Sequence, residues 1–490
     1  MIPYPEEFTA VRRGARLPRS VLVDGPPVSK QGSCYCHRRD VPPGALDFLA
    51  AGHLYATHPL HAFAARCPPP LARWAIEMFT DPGDCVLDVM CGSGTTLVEA
   101  VLTGRHGWGA DIDPLARLLA EVKATFVTPS AVEALTSDVE QALAGDLDDT
   151  WRPSLPNLER WFREDVCRDL ARLRAAIKVC APEEGPVRRL AWVVFSSLIV
   201  ARTSVANARD LVHSRHHYRP WIENPDTVGR YLRGLRRAGR LMADFGERLA
   251  NASGTPGVPQ LVGDDAQALS VTTGDVDLVF FSPPYVSALD YPRAHMFAVA
   301  WLADVLGTTT LAYQERARDY IGTDRAALAQ ATRQQPLPPP SGFADVDGVV
   351  NELAHAPAKA WVVARYFADM AAVFSECARV VRPGGHVVLV VCPSNIRRVR
   401  VATHNLFASM APAASQGRLV VEDTHERTIH DHRRVMPYLE SAFGERMRTE
   451  YVLVLRRDSD RPSAQLAPSC EERLLVDHAE FGGGRVDRDE

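Results

Sequence analysis

"DCVLDVMCGSGTTLVEAVLTGRHGWGADIDPLARLLAEVKA" occupies residues 84–124 and decides the fold. Its opening, "CVLDVM", is a short apolar run with β-branched residues and reads as a buried strand. "CGSGTT" follows, with Gly92 and Gly94 two apart. "TTLVEAVLTG" spaces its apolar residues as a helix does and stops at Gly104, a residue suited to the position just past a helix end. "GWGADID" is a second strand tipped by Asp111. A strand, a glycine turn, a helix and a second strand ending in a carboxylate make a nucleotide-type site. Glycine lets a ligand approach the backbone, and the carboxylate can accept both ribose hydroxyls. Thr95 and Thr96 stand in the third-glycine region of the dinucleotide fingerprint. That points to an adenosyl ligand without a pyrophosphate.

A second stretch, "FFSPPYVSALDYPRAH" (280–295), follows the apolar run "DLVF". Pro283 and Pro284 fix two φ angles and remove two backbone donors, leaving a stiff corner after a buried strand. Such a corner suits the holding of a ligand. No G-x-S-x-G surrounds Ser282, so a hydrolase nucleophile is not indicated.

The remaining sequence bounds the class. The chain has 490 residues, 46% hydrophobic and 23% charged, with a net charge of −5. That is globular composition, and the length supports a large core. Ten irregularly spaced cysteines do not form a disulfide pattern. Cys34, Cys36 and His37 in "SCYCHRRD" lack a matching second half, so no metal is expected. With no signal-like N-terminus and no run long enough to span a bilayer, a soluble cytoplasmic chain with no membrane partner is expected. Residues 201–240 hold nine arginines against three acids, a local charge of +6. Within them Arg215, Arg219 and Trp221 interleave basic and flat groups, and "GRYLRGLRRAGRL" carries an arginine-rich face. Both features suit phosphate or base contact. Arg433 and Arg434 in "HDHRRVMP" are further basic candidates. His58 and His61 read as structural.

"DVMCGSGTTLVEA" resembles the S-adenosylmethionine motif of the amino-directed DNA methyltransferases, with Val89-Met90 in place of the usual Pro-Phe. "SPPY" (282–285) resembles their catalytic motif, in the serine form typical of cytosine-N4 enzymes. "THPLHAFAARCPPPLAR" (57–73) is similar to the segment that closes over the methionine end, and "LVGDDA" (261–266) to the third-strand motif near the adenine. "DYPRAHMFAVAWL" and "RDYIGTDR" also look like segments of these enzymes. The resemblance covers about 50–130 and 255–457. It implies S-adenosylmethionine held by Phe63, Asp88, Cys91, Gly92, Ser93, Gly94, Thr95, Thr96, Asp111, Ile112 and Asp264, with Asp265 the rival of Asp264.

The chemistry follows from the target. An exocyclic amino nitrogen is a poor nucleophile because its lone pair is delocalised into the ring. Ser282 Oγ and the Pro283 carbonyl can take its two hydrogens, Pro284 stiffens the corner, and Tyr285 offers a stacking face worth roughly 1–3 kcal/mol. The nitrogen then attacks the sulfonium methyl in line. A duplex base must flip to reach such a site, so double-stranded DNA is the expected partner. Cytosine N4 is the expected target. Adenine N6 and an RNA amino group are the alternatives. No nuclease motif is evident, so any restriction activity of a restriction–modification system belongs on another chain.

The fold expected is a Rossmann-like class I methyltransferase: an α/β, doubly wound, seven-stranded sheet with one antiparallel edge strand and a mainly helical insert. The expected division is an irregular extension over 1–50, the cofactor half over 51–125 and a helical, DNA-binding insert over 126–258. The catalytic half follows over 259–457, with its own insert at about 303–360, and a polar tail over 458–490.

Overall fold

The computed structural model describes residues 41–42, 44–48, 52–200, 205–206, 226–252, 256–286, 290–323, 337–429 and 449–458. The expectations for Cys34, Cys36, His37, Arg215, Arg219, Trp221, Arg433, Arg434 and the polar tail fall outside these residues.

The first half of the described chain runs as follows. Helix α1 (Pro69–Phe79) leads into strand β1 (Cys85–Asp88), helix α2 (Thr95–Leu102), strand β2 (His106–Ala110) and helix α3 (Pro114–Ala124). Further helices come next, among them α4 (Pro129–Leu143), α5 (Glu164–Cys180), α6 (Pro186–Ser197) and α7 (Thr227–Ala250). The second half contains β3 (Pro259–Gly263), β4 (Val276–Phe281), α8 (Tyr291–Leu302), α9 (Thr310–Arg316), α10 (Ala344–Glu352), α11 (Pro357–Val380) and β5 (Val381–Val391). A short ribbon, β6 (Ser394–Ile396) and β7 (Val399–Val401), precedes α12 (Thr403–Ala414), β8 (Leu419–Thr428) and β9 (Thr449–Arg457). Proline lies in the first turn of α1, α3, α4, α6, α8 and α11. There its missing N–H costs nothing and its fixed φ is already helical.

Seven strands form one sheet in the order β3-β2-β1-β4-β5-β9-β8. The pairs among β1 to β5 are parallel, whereas β9 runs antiparallel to both of its neighbours. The antiparallel strand therefore does not lie at the edge, as the sequence reading expected. It is one place in, and β8 forms the edge. The reason is the connection: β8 and β9 are sequential and pair directly, so the last strand folds back between β5 and its own predecessor.

Alternation along the strands sends residues to two faces. Leu87, Val279, Phe281, Val387 and Leu389 pack with α11 and α12, while Val86, Leu278, Phe280, Val388 and Val390 pack with α1. All eight residues of α2 are buried. The helices between β2 and β3 share a third core with α3 and α8, in which Leu119, Leu170, Trp192, Tyr231, Phe245 and Trp301 meet. Arg174 of α5 fastens that core. Its guanidinium lies 3.7 Å from the Trp151 ring centre and donates to Asp304 at 2.7 and 2.9 Å. Chain order reverses between β1 and β4, the place where open α/β sheets leave a crevice at the strand C-termini.

Candidate active site

That crevice is a cleft over the C-terminal ends of β1, β2, β3 and β4. Asp88, Asp111, Asp264 and Ser282, each at or just past a strand end, all line it. Two carboxylates hold the glycine loop from below. Asp88 accepts from the Met90 N–H at 3.1 Å and from the Thr96 hydroxyl. Asp111 accepts from the Gly92 N–H at 2.8 Å and the Asp113 N–H at 2.9 Å. Each Asp111 oxygen keeps a further lone pair, because a carboxylate has about four acceptor sites. Burial, with the nearby Asp113 carboxylate, pushes Asp111 up to about 6, and burial pushes Asp88 up to about 7.

The two glycines have different work. Gly92 has φ +49°, and a Cβ there would stand 3.1 Å from Phe63 Cε1, on the cleft side. Gly94 has φ +81°, and a Cβ would lie 2.5 Å from the Ala120 Cα of α3. Gly94 thus lets α2 and α3 pack closely. Gly92, not Gly94, is among the residues lining the cleft. Ser93 also lines it, and its Oγ is buried without a hydrogen-bond partner.

Eleven of the twelve residues expected at the cofactor line this one cleft: Phe63, Asp88, Cys91, Gly92, Ser93, Thr95, Thr96, Asp111, Ile112, Asp264 and Asp265. The sulfur of Cys91 is packed inward, where a Cβ on Gly109 would come within 3.1 Å of it. Asp264 ion-pairs with Arg316 of α9 at 2.8 Å, while Asp265 accepts from the Gln267 N–H at 2.8 Å and shapes a local turn.

The corner after β4 divides. Ser282 and Pro284 line the cleft, whereas Pro283 and Tyr285 are not among its lining residues. Ser282 Oγ donates to the Val390 carbonyl of β5 at 3.3 Å. The half-buried Tyr285 donates its hydroxyl to Glu450 of β9 at 2.9 Å, and buried Arg427 of β8 grips the other oxygen of Glu450.

Several lining residues escaped the sequence reading: Arg66, Met90, Tyr291, Asp319, Tyr320 and Ile321. Tyr291, Asp319, Tyr320 and Ile321 fall in "DYPRAHMF" and "RDYIGTDR", stretches that looked family-like but carried no assigned role. Behind them Asp113 accepts from His295 Nδ1 at 2.7 Å and Tyr313 at 3.0 Å, and caps α3 through the Leu115 N–H. Burial pushes Asp113 up, and these partners more than reverse it, holding it below the usual carboxylate range.

The wall facing the glycine loop is residues 57–67. Phe63 stacks on Tyr291 with centroids 6.1 Å apart and lies 5.1 Å from His295. The two histidines of the segment are buried and structural. His58 Nε2 meets Glu99 of α2 at 2.6 Å, and His61 meets Ser196 at 3.1 Å. Glu99, wholly buried, also accepts from Tyr55 and Arg73 at 2.6 Å each. The wall is therefore bolted to the same helix that the glycine loop begins.

The sheet order, with its one reversed strand beside the edge and its cleft at the switch point, defines the Rossmann-like class I methyltransferase fold. The sequence sharpens this. Residues 45–121 match the family described as DNA methylase, the N6_N4 methyltransferases. The chain is 24% identical over 388 residues to the Type II methyltransferase M.MvaI of Kocuria varians, covering 74% of this chain and 83% of that protein. It is 36% identical over 66 residues to the Type II methyltransferase M.MjaII of Methanocaldococcus jannaschii, 14% of this chain and 12% of that one. Among solved structures, a SAM-dependent methyltransferase from Methanosarcina mazei aligns over 78% of this chain and 96% of its own, at 10% identity and a TM-score of 0.26. By these matches the chain is similar to the amino-directed DNA methyltransferases.

Proposed function

We propose that the enzyme methylates the exocyclic N4 of cytosine in double-stranded DNA and that the cleft seats the cofactor and the flipped base together. The observation that carries this reading is the setting of Ser282. Its proton is directed to the Val390 carbonyl, so its oxygen lone pairs are left for the cleft that it lines. It can accept a hydrogen from an amino group, and the Pro283 carbonyl can accept the second. Serine in the first position of the motif is the form that resembles cytosine-N4 enzymes.

The cleft residues fit the cofactor. Asp111 has acceptor capacity for a ribose diol, Phe63, Ile112, Tyr291 and Ile321 offer apolar walls for an adenine, and the unpartnered Ser93 hydroxyl is available to a polar group. When bound, the cofactor supplies an electrophilic methyl on a cationic sulfonium. Six acidic side chains, from Asp88, Asp111, Asp113, Asp264, Asp265 and Asp319, line the cleft, and those that are ionised favour a cation there. The protein's own contribution is alignment: a stiff Pro-Pro corner fixes the acceptors against the strand ends, and positioning of this kind removes a large part of a bimolecular barrier. The Tyr285 ring supplies a stacking face at the same corner.

Mass spectrometry of nucleosides from duplex DNA incubated with the enzyme and labelled S-adenosylmethionine tests the reading. N4-methylcytosine is the expected product. N6-methyladenine alone would overturn the base assignment and leave the reaction class standing.

A further inference from the structure

A second depression adjoins the cleft. It is a groove of about 950 Å³ between the start of α7, the end of α6 and residues 54–66. Phe63 and Arg66 line both spaces, so the two share a wall. Among the described residues the groove is lined by Arg66, Arg230, Arg233, Arg237 and His61, and by no carboxylate. Arg230, Arg233 and Arg237 recur at helical spacing on one face of α7. From first to last they cover about 10 Å of helix, at about 1.5 Å per residue. Along the axis of a duplex the phosphates of one strand advance by about 3.4 Å each. The stripe thus spans about three such steps. Arg237 donates to the neutral Pro59 carbonyl at 2.6 Å, and Arg233 meets Asp226 only at an exposed surface, where such a pair is weak. Burial and the neighbouring Arg240 guanidinium depress Arg237, as expected for a cation set among its own kind.

We infer that this groove holds the sugar-phosphate backbone of the DNA duplex beside the flipped nucleotide, with Arg230, Arg233 and Arg237 as phosphate contacts. The inference rests on the DNA methyltransferase reading and deepens it by naming the backbone site. A flipped base entering the cleft leaves its flanking phosphates at the cleft mouth, and the wall shared through Phe63 and Arg66 puts the groove there. The arginines make charge contacts without reading base edges, so they contribute affinity common to all sequences.

The test uses the full chain saturated with S-adenosylhomocysteine and a fluorescent 30-base-pair DNA duplex of random sequence, titrated at several salt concentrations. Arg233→Gln and Arg237→Gln should each reduce the slope of log affinity against log salt by about 0.9. Arg237→Lys should keep the slope, because it keeps the charge while losing the bond to Pro59. Arg236→Gln is the control, since Arg236 of the same helix pairs with Glu140 at 2.7 Å and does not line the groove. Cofactor affinity is measured for each variant to establish that the cleft is intact. Unchanged slopes for Arg233→Gln and Arg237→Gln, or an equal drop for Arg236→Gln, would overturn the proposal. So would a slope change confined to an RNA duplex of the same sequence. N4-methylcytosine with unchanged slopes sinks the groove alone. Altered slopes with N6-methyladenine sink the base assignment alone.

Discussion

The cleft and the groove share a wall and carry opposite charge. Among the described residues, six acidic side chains and one arginine, Arg66, line the cleft, and four arginines and no acid line the groove. On the proposed assignment, the difference teaches how one surface would sort two ligands. A sulfonium cofactor is drawn to acids, and a polyanionic backbone is drawn to arginines. Each would be repelled from the other's seat, and like-charge juxtaposition is a common source of discrimination. The sorting also divides the labour. Groups in the cleft should govern cofactor binding and rate. Groups in the groove should govern DNA capture and its response to salt.

The sharpest way to break this division is at Ser282. If the cleft carries the chemistry, Ser282→Ala removes an acceptor that matters as the amino nitrogen becomes nucleophilic. A loss of about 100-fold in single-turnover methyl transfer is expected, comparable to removing one oriented hydrogen-bonding group from an active site. Affinity for DNA and its salt slope should stay unchanged. A variant that transfers methyl at the parent rate, or that loses DNA binding in proportion, would mean that the cleft and groove are not separable in this way.

Asp111 comes next in size. Its two oxygens already organise the glycine loop, and its spare lone pairs face the cleft. Asp111→Ala should weaken S-adenosylmethionine binding by about 1.5–3 kcal/mol, the worth of hydrogen bonds to a charged acceptor. Calorimetry on a variant shown to be folded checks this, and unchanged affinity would remove Asp111 from the ribose site.

The same residue should make cofactor binding respond to acid. The ribose hydroxyls need the carboxylate form, and in the folded protein Asp111 sits at about 6, above its ordinary value of 3.8. A raised value means that protonation begins early as the pH falls. Affinity should be level well above pH 6 and fall below it, by up to tenfold per unit for one proton. Asp88, at about 7, titrates nearby and can steepen the upper part of the curve. A profile flat between pH 5 and 8 would contradict the assignment. DNA affinity in the groove should show no such step from these acids.

Much of the cleft was legible because its parts are local. Residues 84–124 hold a strand, turn, helix and strand in one continuous run, so spacing alone brings Asp88, Gly92 and Asp111 together. Tyr291, Asp319, Tyr320 and Ile321 arrive from some 200 residues away, and no local period marks them as cleft residues. The packing role of Gly94 was not legible for a related reason. Its positive φ was foreseeable, but the neighbour that forbids a side chain is Ala120 on another helix. The groove was half legible. The arginine face of "GRYLRGLRRAGRL" showed in the sequence, whereas its opposite wall, Leu54 to Arg66, is brought there only by tertiary packing. The position of β9 inside the sheet likewise depends on a pairing that no stretch of sequence announces.

The smallest effect belongs to Tyr285, at the corner beyond the cleft. Its ring and its hydroxyl do different things, and the structure separates them. The hydroxyl reaches Glu450 on β9, whose other oxygen is held by buried Arg427, and Arg427 also donates to the Leu46 carbonyl at 3.0 Å. This chain of contacts sets the angle of the ring against the sheet. Tyr285→Phe keeps the ring and cuts the tether. Glu450 retains its arginine, so no charge is left unpaired, and the loss should stay near 1 kcal/mol, the net worth of an ordinary hydrogen bond. It should appear as a several-fold weaker capture of an extrahelical base, read with 2-aminopurine fluorescence at the target position. Cofactor affinity and the salt slope of DNA binding should not move. Tyr285→Ala removes the stacking face as well and should cost roughly 1–3 kcal/mol in the same signal. If Tyr285→Phe and Tyr285→Ala prove equal, the tether rather than the ring is what the site uses. If neither changes the fluorescence, the flipped base stacks elsewhere in the cleft, and Tyr285 belongs to the scaffold that joins β4 to β9.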